Sequence, residues 1–267
     1  LLADPGGESG GVGHGPRIVF RRGLARLRTA MGAHVNRRGE GEIVYSGERR
    51  EAAIRIALPG LVLTETRYEE GERGAALHIH SEHSDAFFVL EGALRYTIGD
   101  APHDLRAGGL VAIPPGVVHG FDNGYAGRSR FLNVHAPNTG FDEYLRTIGK
   151  TKDPESKREI SERTDSWDPP ADGGRDPGDA RLVQPLDVVE VEHLLACKST
   201  LDPSTQSRRS GTGTACFYVL DGTLTVDADP DLIELHPGDV AVVDAGTQHS
   251  VRNDHDVPAT YIHLVTS

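Results

Sequence analysis

Two histidines one residue apart, His78 and His80, open the chemistry of this chain. In a β-strand alternate residues face the same side, so both imidazoles can converge on one point. Asp85 follows at a spacing that could add a carboxylate, and His119 sits in PPGVVHGFDN on a later strand entered through a turn. Three neutral nitrogens and one oxygen suit a divalent transition-metal ion that keeps open coordination positions. Glu82 and His83 lie in the same loop and are alternatives for the acidic position.

Positioning such groups takes many short strands. From Ile43 to Val134 the chain runs through AAIRIAL, LVLTETRY, AALHIH, AFFVL, ALRYTI, LVAIP, VVHGF and RFLNVH, separated by Gly, Pro, Asp or Asn. About eight strands at that spacing imply a barrel or jelly roll. After Pro137, Asn138 or Thr139 is placed to cap a helix in which Phe141, Tyr144, Leu145 and Ile148 form one apolar stripe. Residues 150–180 are charged and then rich in Pro, Gly and Asp, which marks a linker. Strand-like runs resume beyond it, and FFVLEGAL in the first half returns as FYVLDGTL in the second, an internal repeat. The expected architecture is all-β, with two tandem barrels and a short helical linker. The divisions are an N-terminal basic arm (1–40), a metal-binding barrel (41–137), a helical and Pro/Gly-rich linker (138–180) and a degenerate barrel (181–267).

Composition agrees. With 267 residues there is room for two units of about 100 residues, and 32 Gly with 16 Pro fit strands punctuated by turns. Lys and Arg number 28 against 40 Asp and Glu, a net charge of -12, which excludes a nucleic-acid partner because phosphate binding needs a positive surface. Residues 1–16 are Gly-rich and expected to be mobile, whereas Phe20, Leu24, Leu27 and Met31 recur at the spacing of a docking helix. Cys197 and Cys216 lie in apolar runs and read as buried free thiols of a reducing compartment. No apolar run is long enough to span a bilayer, so the expectation is a cytoplasmic protein without a membrane partner.

The first barrel resembles the cupin superfamily, whose two motifs are G(x)5HxH(x)3,4E(x)6G and G(x)5PxG(x)2H(x)3N. His78 and His80 take the HxH places, four residues lead to Asp85 in the acidic place, and six more lead to Gly92. The second motif fits throughout with Gly108, Pro114, Gly116, His119 and Asn123. The opening Gly of the first motif is displaced, Gly71 and Gly74 flanking its place, and Asp stands where Glu is usual. The resemblance implies that the three histidines are metal ligands and that Asp85 is a fourth ligand or the catalytic base. Being one methylene shorter than Glu, Asp85 could also act through a water, leaving a ligand set of three histidines.

In the second barrel Gly222 answers Gly92, Ala215 falls in the acidic place, and the HxH region reads SRRSGTG. Gly238, Asp244, Gly246, His249 and Asn253 keep the second motif, with Asp in place of Pro. A lone histidine cannot hold a metal tightly, so His249 is expected to be a hydrogen-bonded core residue. His14, His34, His103, His135, His193, His236, His255 and His263 read as ordinary.

The FYVLxG runs, the PPGVVHGF turn and the NVHAPNTGFDEYLR helix are similar to quercetin 2,3-dioxygenase-like bicupins. That resemblance implies a dioxygenase holding one divalent ion (Fe, Mn, Ni, Cu or Zn) in the first barrel and acting on a small oxygen-chelating substrate, with Asp85 managing a proton. The alternatives are a metal-assisted isomerase or decarboxylase and a non-catalytic small-molecule-binding barrel. The two barrels are expected to pair edge to edge as an intramolecular pseudo-dimer, with assembly into a homo-oligomer left open.

Overall fold

The computed structural model describes residues 32–209 and 211–267; the expected tail at 1–16 and the docking helix through Met31 lie outside them. The chain builds two β-barrels of alike design. The first combines a seven-stranded sheet with a three-stranded sheet, and the second a six-stranded sheet with a four-stranded one.

Alternation along the central strands explains the packing. In Ser84–Glu91, Phe87 and Val89 join the interior of the first barrel, whereas Ala86 and Phe88 join a core shared with the second barrel. The repeat strand Thr214–Asp221 does the same: Ala215, Phe217 and Val219 face its own interior, and Cys216 and Tyr218 face the shared core. Both faces are covered, so these strands read as nearly unbroken apolar runs. Gly92 and Gly222, one residue past each strand, have φ of 73° and 71°. A Cβ there would lie 2.2 Å from the Arg128 carbonyl oxygen or 2.3 Å from that of Pro258, so only glycine fits either turn.

The two large sheets meet face to face through Leu61, Leu63, Leu132 and Val134 on one side and Leu194, Ala196, Ile262 and Leu264 on the other. Edge strands are exchanged as well. Ala33–Asn36, within the span read as an arm, pairs antiparallel with Val240–Val243 of the second barrel. Arg181–Val183, read as the start of the second barrel, pairs with Leu110–Ile113 of the first. Each exchange covers an otherwise open sheet edge. Asp244, in the motif place of Pro, accepts hydrogen bonds from the Gly32 backbone N–H (3.3 Å) and faces His34 Nε2 at 3.2 Å. A buried ion pair reinforces the junction: Arg55 contacts Glu65, and its guanidinium also donates to Arg37 O (3.0 Å) and Gly238 O (2.9 Å).

The segment between the barrels is more than a spacer. It holds helices at Phe141–Thr147 and Pro154–Arg163. The first starts at the expected place, but its N-cap is Gly140 with a left-handed backbone. Asn138, which with Thr139 the sequence suggests as cap, lies just outside: its Oδ1 accepts from the Gly140 N–H (2.9 Å) and its Nδ2 donates to Asp142 Oδ1 in the first turn (3.1 Å). The segment then runs along the rim of the first barrel, where Trp167 bridges Ile79 and Gly174 bridges Val117. No helix of the described residues is long and apolar enough to cross a membrane.

Candidate metal centre in the first barrel

The HxH segment lies against the barrel through single bridges, His78 to His119 and Ile79 to Trp167, where the sequence suggests a regular strand. The outcome for the side chains is the one expected of alternation. His78, His80 and His119 each present a ring nitrogen, and these lie within 4.8 Å of one another. Each Nδ1 is held by a backbone carbonyl: Ala76 O at 2.8 Å for His78, Asp165 O at 2.6 Å for His80 and Val117 O at 2.9 Å for His119. A carbonyl only accepts, so each Nδ1 carries the proton and each Nε2 keeps its lone pair.

His80 Nε2 and His119 Nε2 are buried and have no hydrogen-bond partner. Orphaned buried acceptors are costly unless something binds them. Burial also lowers the pKa of His78 to about 3, helped by the neighbouring His119, and pushes His80 well below the usual imidazole value. One edge of His78 reaches solvent, yet its ring packs 4.3 Å from that of His119 and 4.8 Å from that of His80. Neutral imidazoles with inward lone pairs are the form a metal takes. The residues therefore fit a divalent ion.

Asp85 is fully inside, on the interior parity of its strand. Its Oδ2 lies 3.3 Å from His119 Nε2 and 3.9 Å from His80 Nε2, spacings open to two atoms sharing an ion about 2 Å from each. Its other oxygen, Oδ1, takes a short hydrogen bond from Asn133 Nδ2 and lies 3.4 Å from His135 Nε2. The shorter side chain thus reaches the triad without Glu82, whose backbone N–H is bound to Asp165.

His135 reads as ordinary in the sequence and is not. Its Nδ1 meets His83 Nε2 at 2.6 Å, its Nε2 meets Asn133 Oδ1 at 3.1 Å, and Phe141 stacks on its ring at 3.4 Å. His83, His135 and His80 form a second close triad, but both nitrogens of His83 and His135 are occupied by hydrogen bonds. His83 packs its ring against His80 and ties that ring's neighbourhood to Asp165 and His135. Strand alternation is the signal for His135: in RFLNVHA, Phe131, Asn133 and His135 share the interior parity, while Leu132, Val134 and Ala136 face the shared core.

Asp165 comes from the connecting segment, 85 residues after His80. Its carboxylate accepts from the backbone N–H groups of Ser81 and Glu82 (both 2.8 Å), from His83 Nδ1 (2.8 Å) and from Trp167 Nε1 (3.0 Å). Burial alone would raise its pKa, but the bonds from His83 and Ser81 outweigh that and hold it well below the usual carboxylate range. A carboxylate depressed in the fold stabilises it above the unfolded pKa of about 3.9 and loses that contribution as pH falls towards the folded value. In metal-stripped protein Asp165→Asn should therefore lower the melting temperature at pH 7, and the gap to wild type should close below about pH 4. A gap independent of pH would show that the charge of Asp165 is not what braces the loop.

Among the described residues, the second barrel has no counterpart of this cluster. Strand register puts Ala215, Val265 and His263 where the first barrel has Asp85, His135 and Asn133. Arg209 pairs with His249 as His78 pairs with His119. Asn123 and Asn253, by contrast, do the same work in both halves, tying loops through their side-chain amides to Glu69 O (3.0 Å) and Gly127 O (2.9 Å) in one and to Leu201 O (3.0 Å) and Val257 O (2.7 Å) in the other.

Two jelly-roll barrels in tandem, with one interior histidine cluster, define a bicupin. The family model described as the cupin domain matches residues 64–135 and again 199–265, more than half of the chain, which belongs to that family. No curated protein matches the sequence significantly. Among solved structures, the putative glyoxylate-induced protein of Pseudomonas aeruginosa is 13% identical at a TM-score of 0.63, with 92% of each chain covered. Bacterial pirin from Escherichia coli in complex with nickel(II) is 12% identical at 0.59, covering 88% of this chain and 98% of that one. Oxalate decarboxylase from Bacillus subtilis is 16% identical at 0.61, covering 94% of this chain and 80% of that one. At such identities the likeness is one of fold.

Proposed function

We propose that the chain is a metal-dependent oxidoreductase, a dioxygenase acting on a small molecule with adjacent oxygen donors. The observation that carries this reading is the set of three inward Nε2 atoms beside a carboxylate whose second oxygen is already held. His78, His80 and His119 would hold one divalent ion, with Asp85 Oδ2 completing the set or facing the substrate. Such an ion would supply Lewis acidity and, where it is redox-active, one-electron chemistry toward O2. His and carboxylate ligands suit Fe, Mn, Ni, Cu and Zn alike.

The protein's own groups do the rest. Asn133 and His135 fix Asp85 Oδ1, so Oδ2 is the atom that takes the substrate's hydroxyl proton and holds it. His83 and Asp165 lock the HxH loop at the required spacing. Phe141 on His135 and the Trp167 segment over Ile79 limit water at the centre.

Oxygen uptake by metal-loaded protein, screened with catechol-like and flavonol compounds, tests the reading. Oxygen should disappear in step with substrate, and Asp85→Asn should lower kcat by about a hundredfold or more, the usual worth of a general base. Turnover that persists without oxygen would overturn the dioxygenase in favour of a metal-assisted isomerase or decarboxylase.

A further inference from the structure

We infer that the second barrel is a metal-free binding site for a neutral, hydroxyl-bearing small molecule of the phenol class. A cavity of about 620 Å3 opens there, well within the roughly 300–1,000 Å3 of small-molecule sites. Its origin is visible in the register. Where the first barrel fills its interior with Asp85 and His135, the second has the smaller and apolar Ala215 and Val265, and both line the cavity together with Leu195.

Among the polar groups of the lining, which include Thr212, Thr266 and His263, one directed acceptor stands out. His249 lines the cavity, and its Nδ1 donates to Thr247 O at 2.9 Å, which leaves Nε2 as an acceptor. That Nε2 is buried and has no hydrogen-bond partner. A buried acceptor beside the apolar wall of Leu195, Ala215 and Val265 calls for a ligand with a hydroxyl donor and an apolar body. The His263 ring lines the cavity and is held by stacking on Phe217, with centroids 4.7 Å apart and planes 8° apart, and a fixed ring favours a planar partner. Glu190 and Glu192 line the mouth and oppose anions. Ala215 leaves no carboxylate beside His249 of the kind that Asp85 sets beside His119.

Calorimetric titration with phenol, toluene and benzoate tests this on the full chain. Wild type should bind phenol, with toluene weaker and benzoate weakest. His249→Leu should weaken phenol about tenfold, the worth of one hydrogen bond to a buried acceptor, and bring it level with toluene. Ala215→Phe should abolish binding by filling the chamber, while His78→Ala/His119→Ala should leave it unchanged. Wild type that binds no phenol, or a phenol affinity that ignores His249→Leu and Ala215→Phe, would overturn the inference. Loss in the first-barrel double variant would place the ligand in the other barrel and overturn it equally. Because the readout is binding in the second barrel, it stands apart from the dioxygenase reading.

Discussion

Alanine in place of His119 should empty the first barrel of metal, with affinity falling more than the ten- to hundredfold, roughly, that follows loss of a supporting group. His78→Ala and His80→Ala should do the same. The reason is geometric: one ring nitrogen of each histidine lies within 4.8 Å of the others, and losing one leaves two imidazoles and a carboxylate that cannot surround an ion as before. His249→Ala, at the equivalent place in the second barrel, should change nothing, because Ala215 stands where Asp85 would be needed. Elemental analysis of each purified variant after dialysis reads the outcome. Equal loss from His249→Ala would mean that the two barrels share metal binding and do not differ as their interiors suggest.

The largest effect on stability is expected at Glu65→Leu. Glu65 is buried between Arg55, with which it makes a short contact, and Arg130 at 2.8 Å. Removing the carboxylate leaves Arg55 charged, fully enclosed and neutralised only by carbonyls, a situation that costs about 3–5 kcal/mol. For a chain of this size that is a drop of roughly 6–20 °C in melting temperature, at about 2–4 °C for each kcal/mol. The double variant Arg55→Met/Glu65→Leu should recover part of the loss, since no buried charge is then left unpaired. Thermal melts check both. A single variant that melts like wild type would show that the pair does not hold the junction, even though Arg55 also reaches Gly238 O in the second barrel.

What could be read in advance follows from how local the signal is. The tandem barrels, the linker and the grouping of His78, His80, Asp85 and His119 rest on short spacings, and strand alternation turns such spacings into direction. His135 carries the same kind of signal, but a lone histidine in an apolar strand looks like core until its partners Asp85 and Asn133 are placed on the same face. Asp165 has no local signal at all. It reaches the HxH loop because the chain folds back over the barrel rim, and nothing within a few residues of it says so. The exchanged strands Ala33–Asn36 and Arg181–Val183 are similarly silent, since a run of three or four residues does not name the sheet it will join. His249 was expected to be satisfied within the core. Only one of its nitrogens is, and the other faces the cavity that Ala215 and Val265 leave.

The asymmetry of the two barrels leads to an expectation of one metal ion per chain, held in the first barrel. The most direct test is elemental analysis of protein purified without added metal or a metal-binding tag, repeated after saturation with Fe, Mn, Ni, Cu and Zn in turn. One tightly held transition-metal ion per chain is expected in at least one of these preparations. Two ions per chain, or protein that stays metal-free in all of them, would contradict it.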